Sequence, residues 1–173
     1  MGSRGDPLSA EDFMREALKE AEKALELGEV PIGAVIARRG EIIGRGHNRT
    51  ETDKDPRAHA EMMAIGEAAR ALGGWRLLEC SLYVTVEPCA MCAGAIVRAR
   101  IPQVFIGVMD PKAGACGSLY NLLQDPRLNH RVEMETGLLS GECGQVLQAF
   151  FARLRRRDKQ KKDPQQETGN VAQ

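Results

Sequence analysis

The feature that most limits how this chain can fold is a pair of short fragments about thirty residues apart. His59-Ala60-Glu61 and Pro88-Cys89-Ala90-Met91-Cys92 together hold an imidazole, two thiols and a carboxylate. If the two fragments act together, two separate helix starts must meet at one point. Cys89 and Cys92 are three apart, so they share one face of a helix's first turn. A helix N-terminus carries partial positive charge and unpaired N–H groups, which favour the thiolates that a metal needs. Pro88 suits the position just before such a helix, where a missing N–H costs no useful donor. His59 and Glu61 are two apart, about 200° around an ideal helix. Both reach one site only if His59 lies in the first turn or just outside it.

Three protein ligands, His59, Cys89 and Cys92, leave a zinc ion one position for water, as in catalytic rather than structural sites. Zinc can lower the pKa of such a water to about 7. Glu61, not needed as a ligand, is then free to move protons. A structural site needs a fourth ligand. Cys80, Cys116 and Cys143 stand at no recurrent metal spacing. Either fragment alone would be weak, since a CxxC can also be redox-active or core. The two in this order, each at a helix start, point to a metal centre.

Composition narrows the class. A chain of 173 residues with 43% hydrophobic side chains supports one compact domain with its own core. No apolar run reaches the roughly 18 residues that span a membrane, and the first residues lack the apolar stretch of a signal peptide. Five cysteines, two of them in the CxxC, fit a reducing compartment better than a disulfide scaffold. The expected location is cytoplasmic, with no membrane association. Net charge is zero but polarised: seven basic residues against one acid between Arg153 and Lys162 leave −6 for the rest. That basic end can contact phosphate or simply be a solvated helix end.

Periodicity and turn signals set out the elements. Ser9 with Asp12 reads as a capping box opening a helix over 9–27 that stops at Gly28. Residues 31–37 and 41–47 read as a hairpin around Arg39-Gly40, followed by a loop over 48–57. Helices are expected over 58–72 and 90–98, strands over 81–86 and 103–108, and a Gly-rich loop over 110–118. A short helix at 119–123, a weak strand at 131–135 and a final helix over 142–157 capped by Ser140 complete the order. Such an alternation implies an α/β fold with a mixed sheet and helices packed on it. The domain is expected to span 1–157, with a polar, basic, disordered tail over 158–173.

Further segments carry a resemblance. They are Glu29-Val30-Pro31-Ile32-Gly33-Ala34-Val35, His47-Asn48-Arg49, Asp55-Pro56-Arg57-Ala58 before His59, and Leu82-Tyr83-Val84-Thr85-Val86-Glu87 before Pro88. Later come Asp110-Pro111-Lys112-Ala113-Gly114-Ala115-Cys116-Gly117-Ser118-Leu119 and Asn129-His130-Arg131-Val132-Glu133. Over roughly residues 9–157 the chain closely resembles the bacterial tRNA-specific adenosine deaminases of the cytidine deaminase-like superfamily, whose signature is H-x-E followed by P-C-x-x-C.

The resemblance implies a three-layer α/β/α fold around a mixed five-stranded sheet, one zinc per subunit, and a homodimer with active sites near the subunit interface. It implies hydrolytic deamination of adenosine to inosine at the wobble position of a tRNA anticodon loop. In that chemistry a zinc-activated water attacks C6 of an extruded adenine and Glu61 shuttles protons. Asn48 matches a base-contacting asparagine, and the backbone at Ala60 and Glu87 matches segments that line the base pocket. Asp110 matches a loop position near the neighbouring nucleotide, where a carboxylate can accept from a ribose 2′-OH. Lys112 is placed to meet phosphate, and Asn129 and His130 to border the same groove. Phe151 and Arg153, on the last helix beside Phe150 and Arg155, suit an unstacked anticodon loop, with one phenylalanine expected in the core. Val108-Met109 replaces a more polar pair before Asp110, which would shift contacts beside the pocket. The nearest alternative is a small-molecule deaminase of the same fold, acting on guanine, cytosine or a nucleoside. A non-catalytic zinc or RNA-binding module is a third reading, and it leaves Glu61 without a use.

Overall fold

Alternation along the strands divides the core into two halves. The computed structural model describes residues 7–162. Its five strands are β1 (Gly33–Arg38), β2 (Glu41–His47), β3 (Cys80–Val86), β4 (Gln103–Val108) and β5 (Glu133–Thr136), in the sheet order β2-β1-β3-β4-β5. β1 pairs antiparallel with both β2 and β3, whereas β3–β4 and β4–β5 are parallel. Successive side chains point to opposite faces. Ala34, Ile36, Leu82, Val84, Val104 and Ile106 therefore enter one buried cluster, and Val35, Ala37, Tyr83 and Phe105 the other.

Helices cover both faces. α3 (Ala60–Leu72) and α4 (Ala90–Arg98) bring Ala64, Ala68, Ala93 and Ile96 to the first cluster. α1 (Ala10–Glu26) brings Phe13, Met14 and Ala17 to the second, and α5 (Ser140–Lys162) brings Cys143. Phe13, Tyr83 and Phe105 form a ladder across that face, with ring centroids 5.0 and 4.6 Å apart. The result is the three-layer α/β/α arrangement. α3 lies close on β2 because Gly46 has no side chain: a Cβ there would sit 2.1 Å from the Ala60 carbonyl oxygen. That approach holds the start of α3 beside the end of β2, where Asn48 follows.

Several boundaries move. The capping box of Ser9 and Asp12 opens α1 as expected. The expected loop over 48–57 contains one helical turn, α2 (Thr50–Asp53), with Lys54 left-handed after it. The expected short helix at 119–123 is a 3-10 turn at Leu122–Gln124, and Ser140 is the first residue of α5 rather than its cap. Most consequentially, α5 continues five residues beyond 157, so the basic run to Lys162 is helical. A row of like-charged residues with long side chains does not break a helix, since Lys and Arg are good helix formers. The expectation of disorder over 163–173 lies outside the described residues. Among the described residues no helix is long and apolar enough to cross a membrane.

Candidate metal centre and base pocket

Two helix N-termini converge at the carboxyl end of β3. His59 is the N-cap of α3 and Cys89 the N-cap of α4, both with extended backbone (φ/ψ −86°/152° and −72°/176°). Neither side chain caps its own helix, so both are free to point inward. His59 Nδ1 lies 3.6 Å from Cys89 Sγ and 3.5 Å from Cys92 Sγ. A tetrahedral zinc with usual bond lengths separates its nitrogen and sulfur ligands by about 3.6 Å. The three donor atoms thus have the spacing and the chemistry of a zinc site. His59 stands outside the helix, which removes the 200° conflict with Glu61 one turn-start later.

Electrostatics follow from that packing. Hydrogen bonding to the Cys92 thiol and to His59 holds the Cys89 thiol down to about 3, against burial. The same bond to Cys89, then burial and the nearby Glu61, pushes the Cys92 thiol up. A cation bound among the three donors would favour the thiolate form of both sulfurs. The hydrogen bond to Cys89 raises His59 despite burial, with help from Glu61. Glu61, only 4% exposed, is raised above the usual carboxylate range chiefly by burial. A carboxyl group whose pKa is moved upward is suited to exchanging protons near neutrality.

Above these groups lies a cavity of about 230 Å³. His59, Ala60, Glu61 and Cys89 line it on one side, with Asn48, Glu87, Asp110 and Ala113 around them. Val30, Ile32 and Val86 supply apolar lining. Its size is below the roughly 300–1,000 Å³ of pockets for drug-sized ligands, and its mixed apolar and polar lining suits one ring system. Asn48 Oδ1 accepts from the Thr50 hydroxyl at 2.8 Å, which fixes the amide so that Nδ2 faces Val30 O at a long 3.4 Å. Asp110 Oδ1 accepts from the N–H groups of Lys112 and Ala113, leaving its second oxygen for other partners.

The MafB19-like deaminase family matches residues 8–155. The tRNA-specific adenosine deaminase of Bacillus subtilis (strain 168) is 56% identical over 147 residues, covering 85% of this chain and 91% of that protein. The chain belongs to the tRNA-specific adenosine deaminase family. A solved structure from work on A-to-I editing by tRNA:A34 deaminases at the wobble position is 45% identical with a TM-score of 0.75, covering 78% of this chain and 98% of its own. Guanine deaminase from Bacillus subtilis is also similar, at 31% identity and a TM-score of 0.58, covering 86% and 95% of the two chains.

This deaminase does not gather all the residues expected at its site. Asn129 and His130 do not line the cavity. Asn129 Oδ1 accepts from Arg100 at 2.6 Å and His130 Nε2 meets the Ile101 carbonyl at 2.8 Å, just past the C-terminal end of α4. Cys89 is at the other end of that helix, so these two residues serve the β4–β5 side of the fold within one chain. Lys112 is exposed on the rim of its loop and outside the cavity lining. Phe151 is 42% exposed, while Phe150 packs into the body as the core member of the pair. Arg153 lines a different groove, with Gly28, Phe150, Arg156 and Arg157. Neither Val108 nor Met109 lines the cavity; Val108 packs against the second cluster, beside Gly144 of α5, and Met109 is exposed.

Some contributors were not legible. Val30, Ile32 and Val86 carry no chemical signature, because an apolar residue at a strand end looks like any core residue. Thr50 orients Asn48 from a loop where threonine is ordinary. Glu29, 3% exposed, accepts from the Thr52 N–H and hydroxyl at 2.6 and 2.8 Å. It ties the turn after Asn48 to the segment that carries Val30.

Proposed function

We propose that this chain hydrolyses adenosine to inosine at the wobble position of a tRNA anticodon loop, releasing ammonia. The observation that carries the reading is one cavity shared by Glu61, the His59-Cys89-Cys92 donors, Asn48 and Asp110. The relatives named above act as tRNA-specific adenosine deaminases, which supports the choice of substrate.

His59 Nδ1 and the sulfurs of Cys89 and Cys92 would hold one zinc per chain. Bound there, zinc supplies the Lewis acidity that makes water nucleophilic near neutral pH. Glu61 takes a proton from the attacking water and delivers one to the departing amino group, a net transfer that leaves it unchanged. Asn48 Nδ2 donates to a ring nitrogen of the base. The N–H of Ala60, in the first turn of α3, has no intrahelical partner and points to the same space. The Glu87 N–H is already given to Val108 O at 2.8 Å, so only its carbonyl can meet the base. Asp110, through its unused oxygen, accepts from a ribose 2′-OH. The flanking nucleotides run over Lys112 and past α5, where Phe151 offers stacking on one side of the helix and Arg153 phosphate contact on another, about 200° away.

The protein works in the cytoplasm as a homodimer. Trp75, Leu78, Leu119 and Tyr120, each 46–64% exposed, are available as apolar anchors for that contact. Sedimentation of the zinc-loaded protein should give twice the chain mass. The substrate assignment is tested by offering a tRNA with adenosine at the wobble position beside free adenine, guanine, cytosine and their nucleosides. Inosine confined to the wobble position is expected. Turnover of free guanine alone would replace this reading with that of the guanine deaminases.

A further inference from the structure

Glu87 is 4% exposed, has a carboxylate the reaction does not use, and sits two residues before the ligand Cys89. Its Oε1 accepts from the N–H groups of Cys116 and Ser118, both at 3.0 Å. Its Oε2 accepts from the Asp110 N–H at 2.7 Å and from the Ser118 hydroxyl. A carboxylate has about four acceptor sites, and here all four are filled from one loop. The loop ends are thereby gathered onto a single side chain.

The backbone repeats the attachment. Ala115 N–H donates to Pro88 O at 2.9 Å, and Cys89 forms an isolated bridge with Gly114. A Cβ on Gly114 would lie 2.0 Å from Glu87 Oε2 and 2.6 Å from Asp110 O. Glycine is therefore required for the carboxylate to reach the far side of the loop. Asp110 and Ala113, carried by the same loop, form one wall of the base cavity.

We propose that Glu87 is a positioning residue that sets the substrate-contacting shape of the Asp110–Ser118 loop. Its side chain contacts neither substrate nor metal. It acts through Asp110 and Ala113. Gln is no substitute, because whichever way its amide is turned, an NH2 group faces two donors. The kinetic part of this proposal rests on the RNA deaminase reading above, and the structural part stands without it.

The test compares wild type, Glu87→Gln and Ser118→Ala as zinc-loaded full chains. Amide exchange over 110–118 is measured without substrate, alongside zinc content. Steady-state rates are measured on an anticodon stem-loop RNA with adenosine at the wobble position. For Glu87→Gln we expect exchange in the loop at least about tenfold faster, zinc retained, and KM raised about tenfold or more with a smaller fall in kcat. Ser118→Ala, which removes one of the four bonds, should move exchange and KM the same way by a few-fold. Unaltered loop exchange in Glu87→Gln, or a fall in kcat at constant KM, overturns the proposal. So does zinc loss with the loop exchange unaltered. If Glu87→Gln does not fold, Ser118→Ala decides on the same two readouts, and no change in either overturns it. Wild type that leaves the RNA unreacted sinks the substrate reading, while the exchange data still decide the clamp.

Discussion

His59 Nδ1 lies 3.5 Å from Cys92 Sγ across a separation of 33 residues. One residue stands just outside its helix and the other lies inside the first turn of its own. The two helix N-termini thus face a common point with positive dipole ends, which stabilises negative sulfur there. The relation explains why the chain needs the crossover from β3 through α4, since only that connection sets α4's N-terminus beside α3's.

Replacing any one of the three donors should lose the metal. His59→Ala, Cys89→Ser and Cys92→Ser should each bind well below one zinc per chain, measured by elemental analysis after dialysis, with activity at background. A strong chelator should inactivate wild type and added zinc restore it. Full zinc occupancy in the Cys92→Ser protein would remove Cys92 from the ligand set.

Glu61→Gln should separate binding from chemistry. The amide keeps the shape of the side chain but cannot take up a proton. Zinc content should remain near that of wild type, while kcat falls by about 10²–10⁴, the usual range for losing a general acid–base group. Activity within a few-fold of wild type would reassign the proton transfer.

Asn48 and Thr50 should act in series. Asn48→Ala removes the donor to the base and should lower kcat/KM by about tenfold to a hundredfold. Thr50→Val frees the Asn48 amide to turn, and should give a smaller loss of a few-fold. In a double-mutant cycle the two losses should be strongly sub-additive. Full additivity would mean Thr50 does not work through Asn48.

Stability should fall in acid through Glu20. This carboxylate is 2% exposed; burial raises its pKa, but hydrogen bonds and charge from Lys23 and His47 outweigh that and lower it overall. A lowered folded value means stabilisation present above the unfolded glutamate pKa, about 4.3, and lost as pH falls through the folded value. Glu20→Gln should therefore destabilise by on the order of 1–3 kcal/mol near neutral pH and flatten the fall between about pH 5 and pH 3. Denaturant melts at several pH values measure this. A variant with the same acid dependence as wild type would assign the slope to other carboxylates.

The His59-Cys89-Cys92 cluster was legible because its chemistry is rare and local. Cys89-x-x-Cys92 needs only one helical turn to share a face, and a histidine at a helix start needs only its cap position. The strands were legible for a similar reason, since period-2 alternation is a property of neighbouring residues. Asn129 and His130 show the limit: their types suit RNA, but hydrogen bonds to Arg100 and the Ile101 carbonyl hold them at the other end of α4. The extra turns of α5 show another, because a charged run reads alike as solvated helix or as tail.

Local order thus determined the helices, the strands, the two helix-start fragments and the resemblance they carry. Tertiary structure alone decided that the fragments meet with donor spacings of 3.5 and 3.6 Å. It also decided that Glu61 is buried beside them, and that the carboxylate of Glu87 grips a loop nearly thirty residues on. The reason is physical. Spacing along a chain fixes which face a side chain takes on its own element, whereas the partners of that face depend on how the sheet orders its strands and how closely the helices settle on it.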